Sequence, residues 1–233
     1  MGGAVVRAQR GERASYRPIV TPLVDGSDPV DVARALIALC PQPAGEAPLL
    51  YVADLDALTG RPMQLDAIRR LLDALPSLEL WLDAGFDSPA RAAQVRSALG
   101  RQRVRPVIAS ESLADLRALD ALAADERAVL SLDSRLSAPM DPAGVWQRPD
   151  LWPPTVIVMT LDRVGADAGP DVDALAALVA RAPHVHAWVG AGGVRHAADL
   201  AAAHRAGAHA WLVASALHDG KLDPRTIETR AEP

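Results

Sequence analysis

Seven short apolar runs recur along the chain at nearly even intervals, and no other feature of the sequence constrains the fold as much. They cover residues 49–53, 78–82, 104–109, 128–132, 156–159, 185–189 and 210–214. None alternates cleanly between polar and apolar residues, as a strand with one wet face would, so both faces are expected to be covered, as in a parallel sheet. Between the runs lie stretches with apolar residues at helical spacing: 29–39, 65–75, 89–99, 113–123, 172–182 and 197–206. Asp28 before Pro29 and Ser88 before Pro89 each set a capping side chain ahead of a first-turn proline. The repeat of roughly 25–30 residues is that of a βα unit. Even spacing, with no internal linker and no second compositional block, favours a single (β/α)8 barrel over 1–233 rather than a split dinucleotide-binding sheet.

Two connections break the pattern. Residues 139–154 are rich in proline and tryptophan and leave no room for a full helix, so an irregular crossover is expected there. Residues 11–27 form a long polar loop ahead of the first helix, and loops of that length in compact domains are often functional lids.

Composition narrows the function classes. The chain has 233 residues, half of them hydrophobic, and a net charge of −5. No basic cluster could track a nucleic-acid backbone, and aromatic residues make up only 3%, so nucleic acid is not expected as a partner. No apolar run is long enough to cross a bilayer and no charged-then-apolar leader is present, which leads to the expectation of a cytoplasmic protein that does not meet the membrane. Cys40 is the single cysteine, and no His/Cys spacing suits a metal; no cofactor is implied. Lys221, the sole lysine, lies beyond the last apolar run, which disfavours Schiff-base chemistry inside a barrel.

In a barrel the chemistry sits at the carboxyl ends of the strands. Here those ends are mostly acidic: Asp54 and Asp56, Asp83, Ser110 and Glu111, Asp133, then Thr160 and Asp162. Any one of them alone reads as a cap or a loop ion pair. Converging on one rim, carboxylates repel one another, which raises proton affinities and suits acid/base work near neutral pH; Asp133 is expected to titrate high through Asp83 or Glu111. The glycines of "GAGG" (190–193) end one run and Ser215 follows the next. Backbone unobstructed by Cβ atoms beside two helix starts is a phosphate site in outline, formed by Gly192, Gly193 and Ser215, although close packing would also call for glycine. Trp146 and Trp152 flank the irregular crossover and suit either a ring-bearing substrate or packing.

The segments "VVRAQRGE", "DPVDVARAL", "YVADLDA", "LSLDSR", "VIVMTLDRVGADAGPDV", "GAGGVRHAADL" and "VASALHDGKL" occur in the order found in the HisA/HisF family of histidine-biosynthesis barrels, which the chain resembles over nearly its whole length. The resemblance implies a phosphate-binding barrel and, from HisA, an aldose-to-ketose rearrangement of a bisphosphorylated aminoimidazole ribotide. It places the second catalytic aspartate at Asp133, the threonine at Thr160 and the phosphate loops at Gly192, Gly193 and Ser215. Through "YRPIVTPLVDGSDP" and "LLYVADLDALTG" the chain is more narrowly similar to HisA-related proteins of tetrahydromethanopterin biosynthesis in one-carbon metabolism.

Departures from the family change what the resemblance implies. The chain begins "MGGAVVR", without the first strand and its catalytic aspartate, and "DAGFDS" replaces a glycine-rich second phosphate loop, with Glu111 close by. An acid there repels phosphate. The reading is therefore an isomerase-like barrel enzyme acting on a mono-phosphorylated small metabolite. Asp133, Asp83 and Glu111 supply the acid and base, Thr160 positions the substrate, and Asp54 joins Gly192, Gly193 and Ser215 in binding it. The alternative is a non-catalytic paralogue that serves as a binding or assembly subunit; neither reading specifies an oligomeric state. Only seven runs start a βα unit, and "AVVRA" falls where the family has a hairpin arm. The barrel is expected to be open between its second and eighth strands, with the native start upstream of Met1 supplying the first.

Overall fold

The computed structural model describes residues 1–40, 42, 45–100 and 103–227. A small antiparallel hairpin, β1 (Val6–Arg7) with β2 (Arg17–Pro18), opens the chain. Then follow α1 (Pro29–Leu39), β3 (Leu49–Ala53), α2 (Leu55–Leu58), α3 (Leu65–Ala74), β4 (Glu79–Asp83), α4 (Pro89–Leu99) and β5 (Val104–Ala109). The second half contains α5 (Ala118–Ala123), β6 (Val129–Arg135), β7 (Ala138–Pro139), β8 (Thr155–Thr160), α6 (Val172–Arg181), β9 (Ala187–Ala191), α7 (Ala197–Arg205), β10 (Ala210–Leu212) and α8 (Ser215–His218).

Local chemistry sets the element ends. Asp28 accepts the Val30 N–H at 2.9 Å and Ser88 accepts the Arg91 N–H at 3.4 Å, so both expected caps form. The helix expected over 113–123 keeps only its second half. Asp115 takes the Arg117 N–H at 2.9 Å, a local turn that competes with helix, while Leu113 ahead of it is fully buried.

Seven strands run parallel in the order β3-β4-β5-β6-β8-β9-β10, with β7 folded back on β6. Strand alternation sorts the side chains into two layers. Trp81, Val107, Val129, Ile157 and Val189 face inward and pack together in the barrel interior. Leu80, Leu82, Ile108, Leu130, Leu132, Val156 and Val158 face outward into a larger cluster shared with the helices. This two-sided burial is why the runs read as continuously apolar. The architecture is that of a (β/α)8 barrel, nearly closed. Among the described residues β3 and β10 are its two edges and do not pair with each other. The "AVVRA" segment is a hairpin arm, and no barrel strand precedes α1 among the described residues.

Between β6 and β8 the crossover consists of β7 and two short 3-10 turns, Val145–Gln147 and Pro149–Leu151. Trp152 is core: its ring meets Trp188 edge-on at 6.1 Å and its indole N–H donates to the Val145 carbonyl at 3.0 Å. That packing removes it as a cover for substrate. No described helix is long and apolar enough to cross a membrane.

Candidate active site

Inward alternation along β4 and β6 delivers Asp83 and Asp133 to the carboxyl end of the barrel, each at most 5% exposed. Three groups hold Asp133. The Ser131 hydroxyl donates to Oδ1 at 2.8 Å, and the Ser110 hydroxyl (3.3 Å) and Glu111 N–H (3.4 Å) reach Oδ2. Those bonds favour the carboxylate, but burial outweighs them, and the neighbouring Asp83 and Glu111 act in the same direction as burial, so the Asp133 proton affinity rises to about 8. Asp83 is likewise lifted by burial, to about 6, against the opposing effect of the Gly85 N–H (3.2 Å) and the Tyr51 hydroxyl (3.0 Å), which both donate to it and favour the carboxylate. At neutral pH one buried acid keeps its proton while the other is largely ionised.

Glu111 pairs with Arg13, which reaches over from the 11–27 loop. That loop also buries Tyr16 and Ile19, so it folds against the barrel mouth. Arg13, Tyr51, Asp83, Glu111 and Asp133 all line one cavity of about 860 Å³, and Gly192, Gly193 and Ser215 line it as well. Below, Arg105 stacks over Trp81 at 5.1 Å and lies 3.5 Å from Glu79.

Several expected residues have a different local role. Asp54 lines the cavity, but both its oxygens are occupied: Oδ1 accepts the N–H groups of Asp56 (3.1 Å) and Ala57 (3.2 Å), and Oδ2 that of Gln64 (2.6 Å). It caps α2 and pins the following loop, which leaves one lone pair of Oδ2 for a ligand. Thr160 is buried and continues the outward register of Val156 and Val158; it is not among the cavity-lining residues. The glycines answer chiefly to packing. A Cβ on Gly190 would lie 2.1 Å from the Trp211 ring, and one on Gly193 would lie 2.1 Å from the Gly169 carbonyl oxygen.

Tyr51, Arg13, Ser110 and Ser131 complete the site beyond the expected carboxylates. Tyr51 carries a sequence signal, a hydroxyl at an inward position of an apolar run. Arg13 carries none beyond its place in an overlong loop.

A model for histidine biosynthesis proteins matches residues 1–223. The chain belongs to this family. An uncharacterized protein of Methanocaldococcus jannaschii is 26% identical over 226 residues, spanning 95% of this chain and 91% of its own length. Among solved structures, mandelate oxidase with benzoyl-formic acid superposes with a TM-score of 0.48 at 14% identity, covering 71% of this chain and 55% of that one. The family match agrees with the order of motifs along the chain and with the barrel they build.

Proposed function

We propose that this family member is a barrel enzyme that isomerises a mono-phosphorylated small metabolite, or carries out a related carbonyl rearrangement, by acid/base chemistry. The observation that carries this reading is the pair Asp133 and Asp83: two buried carboxyl groups on one cavity whose environments separate their proton affinities. Asp133, protonated at neutral pH, donates to the ring oxygen as the sugar opens. Asp83, largely ionised and held by Tyr51, takes the proton from the carbon next to the carbonyl. The Gly192–Gly193 turn and Ser215, which line the same cavity, suit one phosphate. Glu111 on the same cavity disfavours a second. The narrower resemblance makes a one-carbon cofactor pathway linked to tetrahydromethanopterin the setting to search.

The test follows exchange of the substrate's α-proton with deuterated water by NMR, over a panel of phosphorylated aldoses and of metabolites that accumulate in a deletion strain. Exchange that wild type catalyses and Asp133→Asn abolishes supports the enzyme. A deletion phenotype fully rescued by Asp133→Asn supports the second reading, a binding or assembly subunit, which the unpaired sheet edges favour. Inorganic phosphate titrated against wild type and Ser215→Asp tests the anion loop; equal affinities count against it.

A further inference from the structure

Ser110 is fully buried and has more partners than one hydroxyl can serve. The ladder between β5 and β6 ends with Ala109 beside Ser131. The Ser110 N–H still donates to the Ser131 carbonyl at 2.8 Å, but β5 stops there, and the next N–H of β6 on that side, that of Asp133, donates to the Ser110 hydroxyl at 2.9 Å. The indole N–H of Trp146 donates to the same oxygen at 3.3 Å. Two acceptors lie within reach of the hydroxyl hydrogen: the Met140 carbonyl at 2.9 Å and Asp133 Oδ2 at 3.3 Å. Met140 and Trp146 both belong to the 139–154 crossover. Other bonds hold them in place, the Met140 N–H to the Asp133 carbonyl at 2.8 Å and the Trp146 backbone N–H to the Asp141 carboxylate at 2.9 Å.

A hydroxyl offers one hydrogen and two lone pairs. The two donors fill both lone pairs, so the hydrogen serves one of the two acceptors at a time. Which one it serves follows from the charge on Asp133. Facing a neutral carboxyl, the hydrogen stays with the nearer Met140 oxygen. Facing a carboxylate, the bond to Oδ2 becomes charge-assisted and roughly twice as strong, and the hydrogen turns to it. The freedom lies at Oδ2 alone, because Oδ1 is held by the Ser131 hydroxyl at 2.8 Å.

We propose that Ser110 is a positioning residue for Asp133: its hydroxyl hydrogen passes from the Met140 carbonyl to Asp133 Oδ2 when that carboxyl gives up its proton, so the crossover that carries Met140 and Trp146 registers the charge of the site. The inference rests on the reading of Asp133 as the acid. In that reaction the proton goes from the carboxyl to the ring oxygen of the substrate, and the Ser110 hydroxyl then meets the negative charge left behind, beside the Glu111 N–H that already reaches Oδ2. The other titratable and charged groups that face the acid are Asp83 on β4, Tyr51 on β3 and Glu111 after β5, with Arg13 of the 11–27 loop paired to Glu111. Asp83 titrates at about 6, below Asp133 at about 8, so the two steps can be followed separately through their own carboxyl signals.

The test follows the indole N–H resonance of Trp146, assigned with Trp146→Phe, beside the carboxyl carbon resonance of Asp133 as pH is raised, with no substrate present. The expected result is a Trp146 signal that moves with the Asp133 midpoint near 8 and stays flat in Asp133→Asn. In Ser110→Ala the Trp146 signal no longer follows Asp133, and the Asp133 midpoint rises by about 1 pH unit, because the carboxylate has lost a charge-assisted donor. A Trp146 signal that is flat in wild type, one that follows Asp133 equally well without the Ser110 hydroxyl, or an Asp133 midpoint unmoved in Ser110→Ala overturns the proposal. Should Ser110→Ala fail to fold, wild type against Asp133→Asn decides by the same Trp146 signal. A flat signal beside a midpoint near 8 overturns the coupling alone, whereas an Asp133 that titrates at its ordinary value overturns the acid reading with it.

Discussion

Replacing Asp133 with asparagine should change how stability depends on pH, by an amount that follows from its surroundings. Burial beside Asp83 and Glu111 lifts its carboxyl from 3.8 to about 8. The unfolded chain releases this proton near the ordinary value of about 3.9, so between the two values the native state holds one proton that the unfolded state has lost. The sign follows: this contribution to stability is full below about pH 4 and is lost as pH rises through about 8. The slope is ~1.4 kcal/mol per pH unit, or about 3–4 kcal/mol between pH 5 and pH 8 with the bend near the upper value included. Asparagine keeps an acceptor for the Ser131 hydroxyl but carries no proton to release. The variant should match wild type near pH 5 and exceed it near pH 8 by about 3–4 kcal/mol, roughly 6–16 °C in Tm for a chain of this length. Urea unfolding followed by tryptophan fluorescence at fixed ionic strength measures both curves. Parallel curves, with a gap that does not change from pH 5 to pH 8, would refute the assignment of a buried protonated acid at this position.

Removing the Tyr51 hydroxyl with Tyr51→Phe takes away a donor that steadies the Asp83 carboxylate, so Asp83 should titrate above 6 and the acidic limb of any pH–rate profile should move upward. Carbon-13 NMR titration of the aspartate carboxyls checks this directly; an unmoved Asp83 argues against the contact. In Glu111→Gln a negative charge that raises both aspartates is gone, and the same titration should show both moving down. Gly193→Ala puts a methyl group 2.1 Å from the Gly169 carbonyl oxygen at a φ of +84°, and a loss of at least about 1–3 kcal/mol in chemical denaturation is expected; a neutral substitution would mean that the two loops are not in contact.

Much of the site was legible before any coordinates, for one physical reason. In a parallel sheet the strand ends share one face, so Asp83, Glu111 and Asp133 had to gather once the runs were read as strands. The helix caps at Asp28 and Ser88 were equally legible, because a cap is a contact between residues two or three apart. Asp54 has a local role that its place at a strand end did not show, because a carboxylate there looks the same whether it faces only a cavity or also accepts three backbone N–H groups of the next turn and loop. Thr160 misled by register: one step along a strand turns a side chain to the other face.

The order of strands, the two-sided burial and the acidic rim follow from the sequence alone, since they depend on periodicity and on what a βα repeat can build. What only the tertiary structure decided lies in contacts between distant segments. Trp211 set against Gly190 and the Gly169 carbonyl against Gly193 show that these glycines are needed for packing. Arg13 closing on Glu111 brings a loop more than ninety residues away into the site. The open seam between β3 and β10 is of the other kind: it was legible in the count of seven runs that start a βα unit, because a barrel one strand short must leave two edges unpaired.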